Sequence, residues 1–245
     1  MAYDLEAHLG TLGVSLESFV SEIGRMSEES EQVIGDLKLT EAAYMSSMFN
    51  EGTPIVGDYL RLMMALRSTF VHPLLADLGT GDCMIPCVAA AMGIEGVGLE
   101  LPADHPFPYG HMPGFLEGLS RVHSRKIDRC RAVMDKFQER GWLRSPVTFV
   151  QGDAFQESTY AFLRHGLESV DAFYIWPGAR CFKKALSLFD QSPNPSAILI
   201  AKSSAEFGTY NPEIGRPYHD LGNGLYLFAK DPSIAHTFLA AYATA

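Results

Sequence analysis

Asp77 sits in an apolar run, Leu74-Leu75-Ala76-Asp77-Leu78, that passes straight into Gly79-Thr80-Gly81-Asp82 and a new helical pattern. A buried strand feeding a tight glycine turn lets backbone N–H groups come close to a ligand. Nineteen residues after Gly81, Glu100 closes a second apolar run, Gly96-Val97-Gly98-Leu99-Glu100, just before Leu101. A carboxylate placed there can accept from two ribose hydroxyls. A third run, Val147-Thr148-Phe149-Val150, leads to Gly152-Asp153-Ala154. In open α/β sheets ligands bind outside the carboxyl ends of the strands. Three acids at three successive strand ends therefore form one candidate site.

The elements that must position these acids follow from periodicity. Strands are predicted over 73–78, 96–101, 147–151, 170–175, 197–202 and 225–229, with helical patterns between most of them. Strands alternating with helices indicate a parallel sheet. The last strand follows Asp220-Leu221-Gly222-Asn223-Gly224, which is rich in turn residues and too short for a helix. A closing hairpin with an antiparallel last strand fits. Residues 117–140 read as one long helix, and Pro86 falls in a first helical turn, where its missing N–H does no harm. Before the sheet, Leu16, Phe19, Val20, Ile23 and Met26 recur at helical spacing. Thr40 is an N-cap for a helix carrying Met45, Met48 and Phe49, and Gly52-Thr53-Pro54 breaks it. Val56, Tyr59, Leu60, Met63 and Leu66 then rebuild a helical stripe. The expected architecture is α/β: a mostly parallel sheet with helices on both faces and an antiparallel last strand. An α-helical N-terminal extension, residues 1–65, precedes the sheet domain, residues 66–245. The extension packs on the sheet or acts as a lid.

Composition narrows the partners. With 245 residues, 47% of them hydrophobic, the chain can bury a full core. No run reaches the ~18 apolar residues that span a bilayer. The acidic start, Met-Ala-Tyr-Asp-Leu-Glu, has no basic n-region, so no membrane and a cytoplasmic location are expected. Net charge is −10; residues 1–60 hold eleven acids against Arg25 and Lys38, whereas eight of the 19 Lys and Arg lie between Arg121 and Arg144. An acidic chain with one basic helix is a poor nucleic-acid binder. That helix reads as a solvated face, or as a surface for an anionic substrate or partner. Cys83, Cys87, Cys130 and Cys181 form no C-x-x-C pair, which predicts buried free thiols and no structural zinc. No clustered acids or paired histidines suggest any other metal. Monomer and homodimer both remain open.

The Asp77-Leu78-Gly79-Thr80-Gly81-Asp82 loop, with Glu100 and Asp153 in order behind it, resembles the cofactor site of the seven-strand, Rossmann-like S-adenosylmethionine (SAM) methyltransferases. The resemblance covers roughly residues 50–230. It is closest to the seven-strand histone-lysine methyltransferases and their archaeal relatives, which share a helical lead-in. It implies that Asp77, Gly79 and Gly81 hold the methionine part and that Glu100 and Leu101 hold the ribose. It further implies that Asp153 accepts from the adenine amino group while the Ala154 N–H serves a ring nitrogen. Two departures stand out. Cys83 occupies the third glycine position, and the fourth strand end, Phe173-Tyr174-Ile175-Trp176-Pro177-Gly178, lacks an Asn-Pro-Pro-Tyr pattern. The second departure argues against a protein-lysine substrate. A dinucleotide fingerprint is the rival for the loop, but its third glycine position holds Met84.

Tyr174 and Trp176 share one strand face beside the expected reaction centre, where aromatic rings attract a sulfonium. Ser203 follows the fifth strand, and Tyr44 of the lead-in could reach over the site. Lys202 is a general base or a snorkelling lysine, and His219-Asp220 a base near the last hairpin. The leading expectation is a SAM-dependent methyltransferase acting on a small molecule, with Tyr174, Trp176 and Ser203 at the transfer centre and Tyr44 on the substrate side. The alternative is use of the aminocarboxypropyl arm. SAM itself could then be the whole substrate, cyclising to azetidine-2-carboxylate and releasing methylthioadenosine.

Overall fold

The computed structural model describes residues 5–35, 56–102, 115–175, 179–202 and 218–245. The helices are α1 (Leu5–Thr11), α2 (Leu16–Gly35), α3 (Val56–Thr69), α4 (Met84–Ala91), α5 (Phe115–Glu139), α6 (Ala179–Gln191) and α7 (Pro232–Thr244). The strands are β1 (Leu74–Leu78), β2 (Glu95–Glu100), β3 (Val147–Gln151), β4 (Ala172–Ile175), β5 (Ile198–Lys202), β6 (His219–Gly222) and β7 (Leu225–Ala229). They form one seven-stranded sheet in the order β3-β2-β1-β4-β5-β7-β6. Pairing is parallel from β3 through β5 and antiparallel for β5–β7 and β7–β6. The chain thus has a Rossmann-like fold. Asp220, Leu221 and Gly222, which the sequence places in a turn-rich stretch, instead belong to β6, and the turn itself is confined to Asn223-Gly224.

Helices cover both faces. Leu75, Tyr174, Ile198 and Ile200 pack toward α3, α4 and α7, whose outer sides meet α1, α2 and α5. Leu74, Ala76, Leu78, Phe173, Ile175 and Leu199 pack toward α6 and two short 3-10 turns. Burying each Leu or Phe contributes ~1.5–3 kcal/mol, so this sandwich fixes the strand register. Residue 65, the sequence-based limit of the extension, lies inside α3, which packs along α7. Among the described residues no helix is long and apolar enough to cross a membrane.

The basic helix finds its partner within the chain. On α5, Lys136 lies 3.0 Å and Arg129 3.4 Å from Glu29 of α2, and Arg140, just past the end of α5, lies 2.5 Å from Glu22. Arg25 holds the same two acids from within α2. Its hydrogen bond brings the Glu22 carboxyl down to about 2, with Arg140 adding to the effect. Beneath these charges Phe19 meets Trp142 and Phe137 edge to face, with centroids 4.8 and 6.3 Å away. Glu22 and Glu29 on one side and Arg129, Lys136 and Arg140 on the other form one interface, so the expectation of a solvated or partner-binding basic face is corrected for these three basic residues.

The cysteine expectation is corrected as well. Cys83 and Cys130 are both fully buried and are joined as a disulfide between the glycine loop and α5, with Cα atoms 4.9 Å apart. Cys87 remains a free, buried thiol, and burial pushes it up. Spacing along the chain could not reveal a pair brought together by helix packing.

Candidate functional site

The sheet reverses its winding between β1 and β4, and a crevice opens at such a switch point. β1 ends in a loop folded down onto its neighbour. Gly79 and Thr80 both donate to the Leu99 carbonyl at 2.9 Å. Gly79 and Gly81 have φ of 88° and 60°, which glycine adopts without strain. Cys83 follows with φ 62°, so the third glycine position keeps the left-handed backbone although it holds a cysteine. β2 makes room. A Cβ at Gly98 would lie 2.7 Å from the Cys83 sulfur, and one at Gly96 would lie 2.4 Å from the Pro86 carbonyl oxygen. The glycines of β2 are therefore what let the loop and α4 sit so close. Asp82 accepts from the N–H of Met84, the first residue of α4, at 3.1 Å.

Glu100 ties the second strand end to this loop. One carboxylate oxygen accepts from the Gly81 N–H and the other from the Leu101 N–H, each at 3.1 Å. At the third strand end, Asp153 accepts from the Phe155 N–H at 3.0 Å, and the Ala154 carbonyl accepts from the Tyr160 hydroxyl at 2.8 Å. Among the described residues nothing accepts from the Ala154 N–H. The acids of β1, β2 and β3 thus converge on one edge, as the sequence order implied.

Asp77 is the electrostatic centre. It is 3% exposed, and burial pushes its carboxyl up to about 7. The nearby Thr80 hydroxyl opposes that rise, whereas Asp82 and Glu100 add to it. The Thr80 oxygen is itself buried and makes no hydrogen bond of standard geometry. A buried acid and an orphaned hydroxyl beside left-handed glycines fit a ligand with a cationic group and donors to offer.

Tyr174, at the end of β4, is in register with Asp77 and turns toward α3. Its hydroxyl lies 3.2 Å from that of Tyr59. In the sequence Tyr59 is one position of a helical stripe, and no local signal links it to Tyr174. Lys202 is buried and donates to the Asn223 carbonyl of the β6–β7 turn, which tethers β5 to that turn. Asn223 in turn donates to Asp58 of α3 at 3.0 Å. His219 is exposed on the edge strand β6, three strand positions or about 14 Å sideways from β4. Tyr44, Trp176 and Ser203 lie outside the described residues.

The fold is that of a Rossmann-like domain, with Asp77, Glu100 and Asp153 at or just beyond the carboxyl ends of β1, β2 and β3. No protein-family model and no curated protein sequence matches the chain. Solved structures do. An RNA methyltransferase from Salinibacter ruber, in complex with S-adenosyl-L-homocysteine (SAH), is 20% identical with a TM-score of 0.42, covering 70% of this chain and 88% of that one. A methyltransferase from Geobacter sulfurreducens is 17% identical with a TM-score of 0.41, covering 76% and 92%. The mitomycin 7-O-methyltransferase MmcR is 14% identical with a TM-score of 0.40, covering 68% and 41%. These likenesses concern the fold, and the named proteins differ in what they methylate.

Proposed function

We propose that this chain is a SAM-dependent methyltransferase acting on a small molecule. The observation that supports it most is the Glu100 carboxylate, buried and bonded to the glycine loop beside Asp77, with Asp153 next along the edge. In this reading Glu100 and the Leu101 backbone take the ribose, and Asp153 and the Ala154 N–H take the adenine. Asp77, Gly79 and Gly81 hold the methionine end. SAM supplies an electrophilic methyl group on a sulfonium. The protein's share is to fix the acceptor in line with it and to exclude water.

Tyr174 lines the acceptor side. Trp176 and Ser203, which directly follow β4 and β5 in the chain, and Tyr44 of the lead-in belong to the same proposal. The lead-in helix α3 serves as a cover over that half, with Tyr59 as its point of contact. A small acceptor is favoured over nucleic acid because Arg129, Lys136 and Arg140 are spent on Glu22 and Glu29. The test is mass spectrometry of purified protein with SAM alone, then with a protein-free and nucleic-acid-free metabolite extract. SAH formed only with the extract supports the reading, and the labelled product names the acceptor. Methylthioadenosine above the spontaneous background without extract, or transfer only to added RNA, would overturn it.

A further inference from the structure

A covalent bond with no part in methyl transfer ties the glycine loop to α5. Cys83 ends the loop, and its partner Cys130 lies on α5, 47 residues later. Neither cysteine is exposed. Cys83 has φ 62°, a left-handed backbone that a residue with a side chain rarely adopts and that persists only where its surroundings over-determine it. Its N–H donates to the Thr80 carbonyl and its carbonyl accepts from the Cys87 N–H, each at 3.1 Å. The bond to Cys130 adds a third constraint, directed away from the sheet.

The two ends of this link differ in their freedom to move. α5 is fixed on α2. Arg129, next to Cys130, donates to the Met26 carbonyl at 2.5 Å and lies 3.4 Å from Glu29, and Lys136 holds the same carboxylate. Cys130 itself packs in the core with Val133 and Phe137. At the other end, the Cys83 sulfur already fills the space over Gly98 and cannot retreat toward β2. Two separate thiols need more room than two bonded sulfurs. The loop must therefore give, and its hold on β2 is slight: Gly79 and Thr80 each donate to the Leu99 carbonyl and Gly81 donates to Glu100.

We propose that the Cys83–Cys130 pair is a redox switch on the glycine loop: the disulfide holds the loop in its ligand-ready shape, and reduction loosens it and lowers the affinity for SAM. The inference rests on the SAM reading above. In the reducing step a dithiol supplies two electrons and two protons. The S–S bond breaks, Cys83 and Cys130 each gain an S–H, and the dithiol becomes a disulfide. The coupling is reciprocal, so SAM favours the disulfide by the factor by which the disulfide favours SAM. Cys87, one helical turn beyond Cys83, is a free buried thiol that burial pushes up, so little thiolate forms there to compete in the exchange.

Calorimetry with SAM tests this on wild-type protein oxidised with glutathione disulfide and on the same protein reduced with dithiothreitol. Mass spectrometry of alkylated, digested protein reads the Cys83–Cys130 linkage, and circular dichroism reads the fold. Reduction should weaken SAM binding by about 3- to 10-fold, the scale of a lost preorganisation, and leave the fold intact. Cys130→Ala should bind SAM as reduced wild type does and ignore the reductant, whereas Cys87→Ala should respond as wild type does. In mixtures of reduced and oxidised dithiothreitol, saturating SAM should shift the ratio of disulfide to dithiol protein by that same factor. Equal SAM affinity in the two states would overturn the inference. So would the absence of the linkage, a bond that the native protein keeps in dithiothreitol, or a reduced protein that unfolds. Binding of SAM in neither state would overturn the SAM reading, and this inference with it.

Discussion

The two halves of the candidate site are built in different ways. On the β1–β2 side, Asp77, Gly79, Gly81 and Glu100 lie within 24 consecutive residues, and their hydrogen bonds run between neighbouring strand ends. On the β4–β5 side, the parts come from α3, β4, β5 and the β6–β7 turn: Tyr59 with Tyr174, and Lys202 through Asn223 to Asp58. The first half is short-range and is written as a motif. The second exists only after the helices and the hairpin have packed. A cofactor common to many reactions suits the first kind of construction, and an acceptor particular to one reaction suits the second.

The sharpest way to break this contrast is at Glu100. In the proposed function Glu100→Ala removes the acceptor of the ribose hydroxyls, and it frees the Gly81 and Leu101 N–H groups. SAM affinity in calorimetry should fall by about 100-fold or more while the fold persists. Near wild-type affinity would mean that the local half is not the cofactor half.

Asp77 tests the cost of that half. An acid raised in the folded state keeps its proton where the unfolded chain has lost it. Stability of the ligand-free protein should therefore fall as pH rises from 3.8 to about 7, then level off. Asp77→Asn removes the loss. Its melting temperature at pH 8 should exceed that of wild type by about 4 °C, an advantage that vanishes near pH 4, while SAM binding is lost. A variant no more stable than wild type at pH 8 would place the Asp77 charge in a better solvated setting.

The long-range half should yield smaller effects. Asn223 has φ 49°, so Asn223→Gly keeps the turn and removes only the bond to Asp58. A loss of about 1 kcal/mol in denaturant unfolding with unchanged SAM affinity would show that the two halves are energetically separate. Weaker SAM binding would show that they are coupled. Smallest of all is Glu22→Gln on the α2–α5 seam. Its lowered carboxyl contributes stability that is present above its ordinary value of 4.5 and is lost as pH falls toward about 2. The pair is accessible to water and salt, so less than about 0.5 kcal/mol is expected at pH 7, read from the same unfolding curves.

The same division explains what could be read from the sequence. All six predicted strands form and the last strand is antiparallel, because each depends on periodicity or on nearby residues. β6 was missed because Asp220, Gly222 and Asn223 are turn formers, and tertiary pairing with β7 overrode that preference. Tyr59 was seen but assigned only to a stripe. The pairing of Cys83 with Cys130 and of Glu22 and Glu29 with α5 could not be seen, since helix packing fixes them and no spacing rule does.

Cys83 and Gly98 make a closing point about how such a chain can change. They are fifteen residues apart, yet one fills the space that the other leaves. Restoring a glycine at 83 alone would open a void over β2, and adding a side chain at 98 alone would collide with the sulfur. The two positions behave as a single locus. Any drift toward the usual three-glycine loop must pass through both, and a search for that loop sees only half of the exchange.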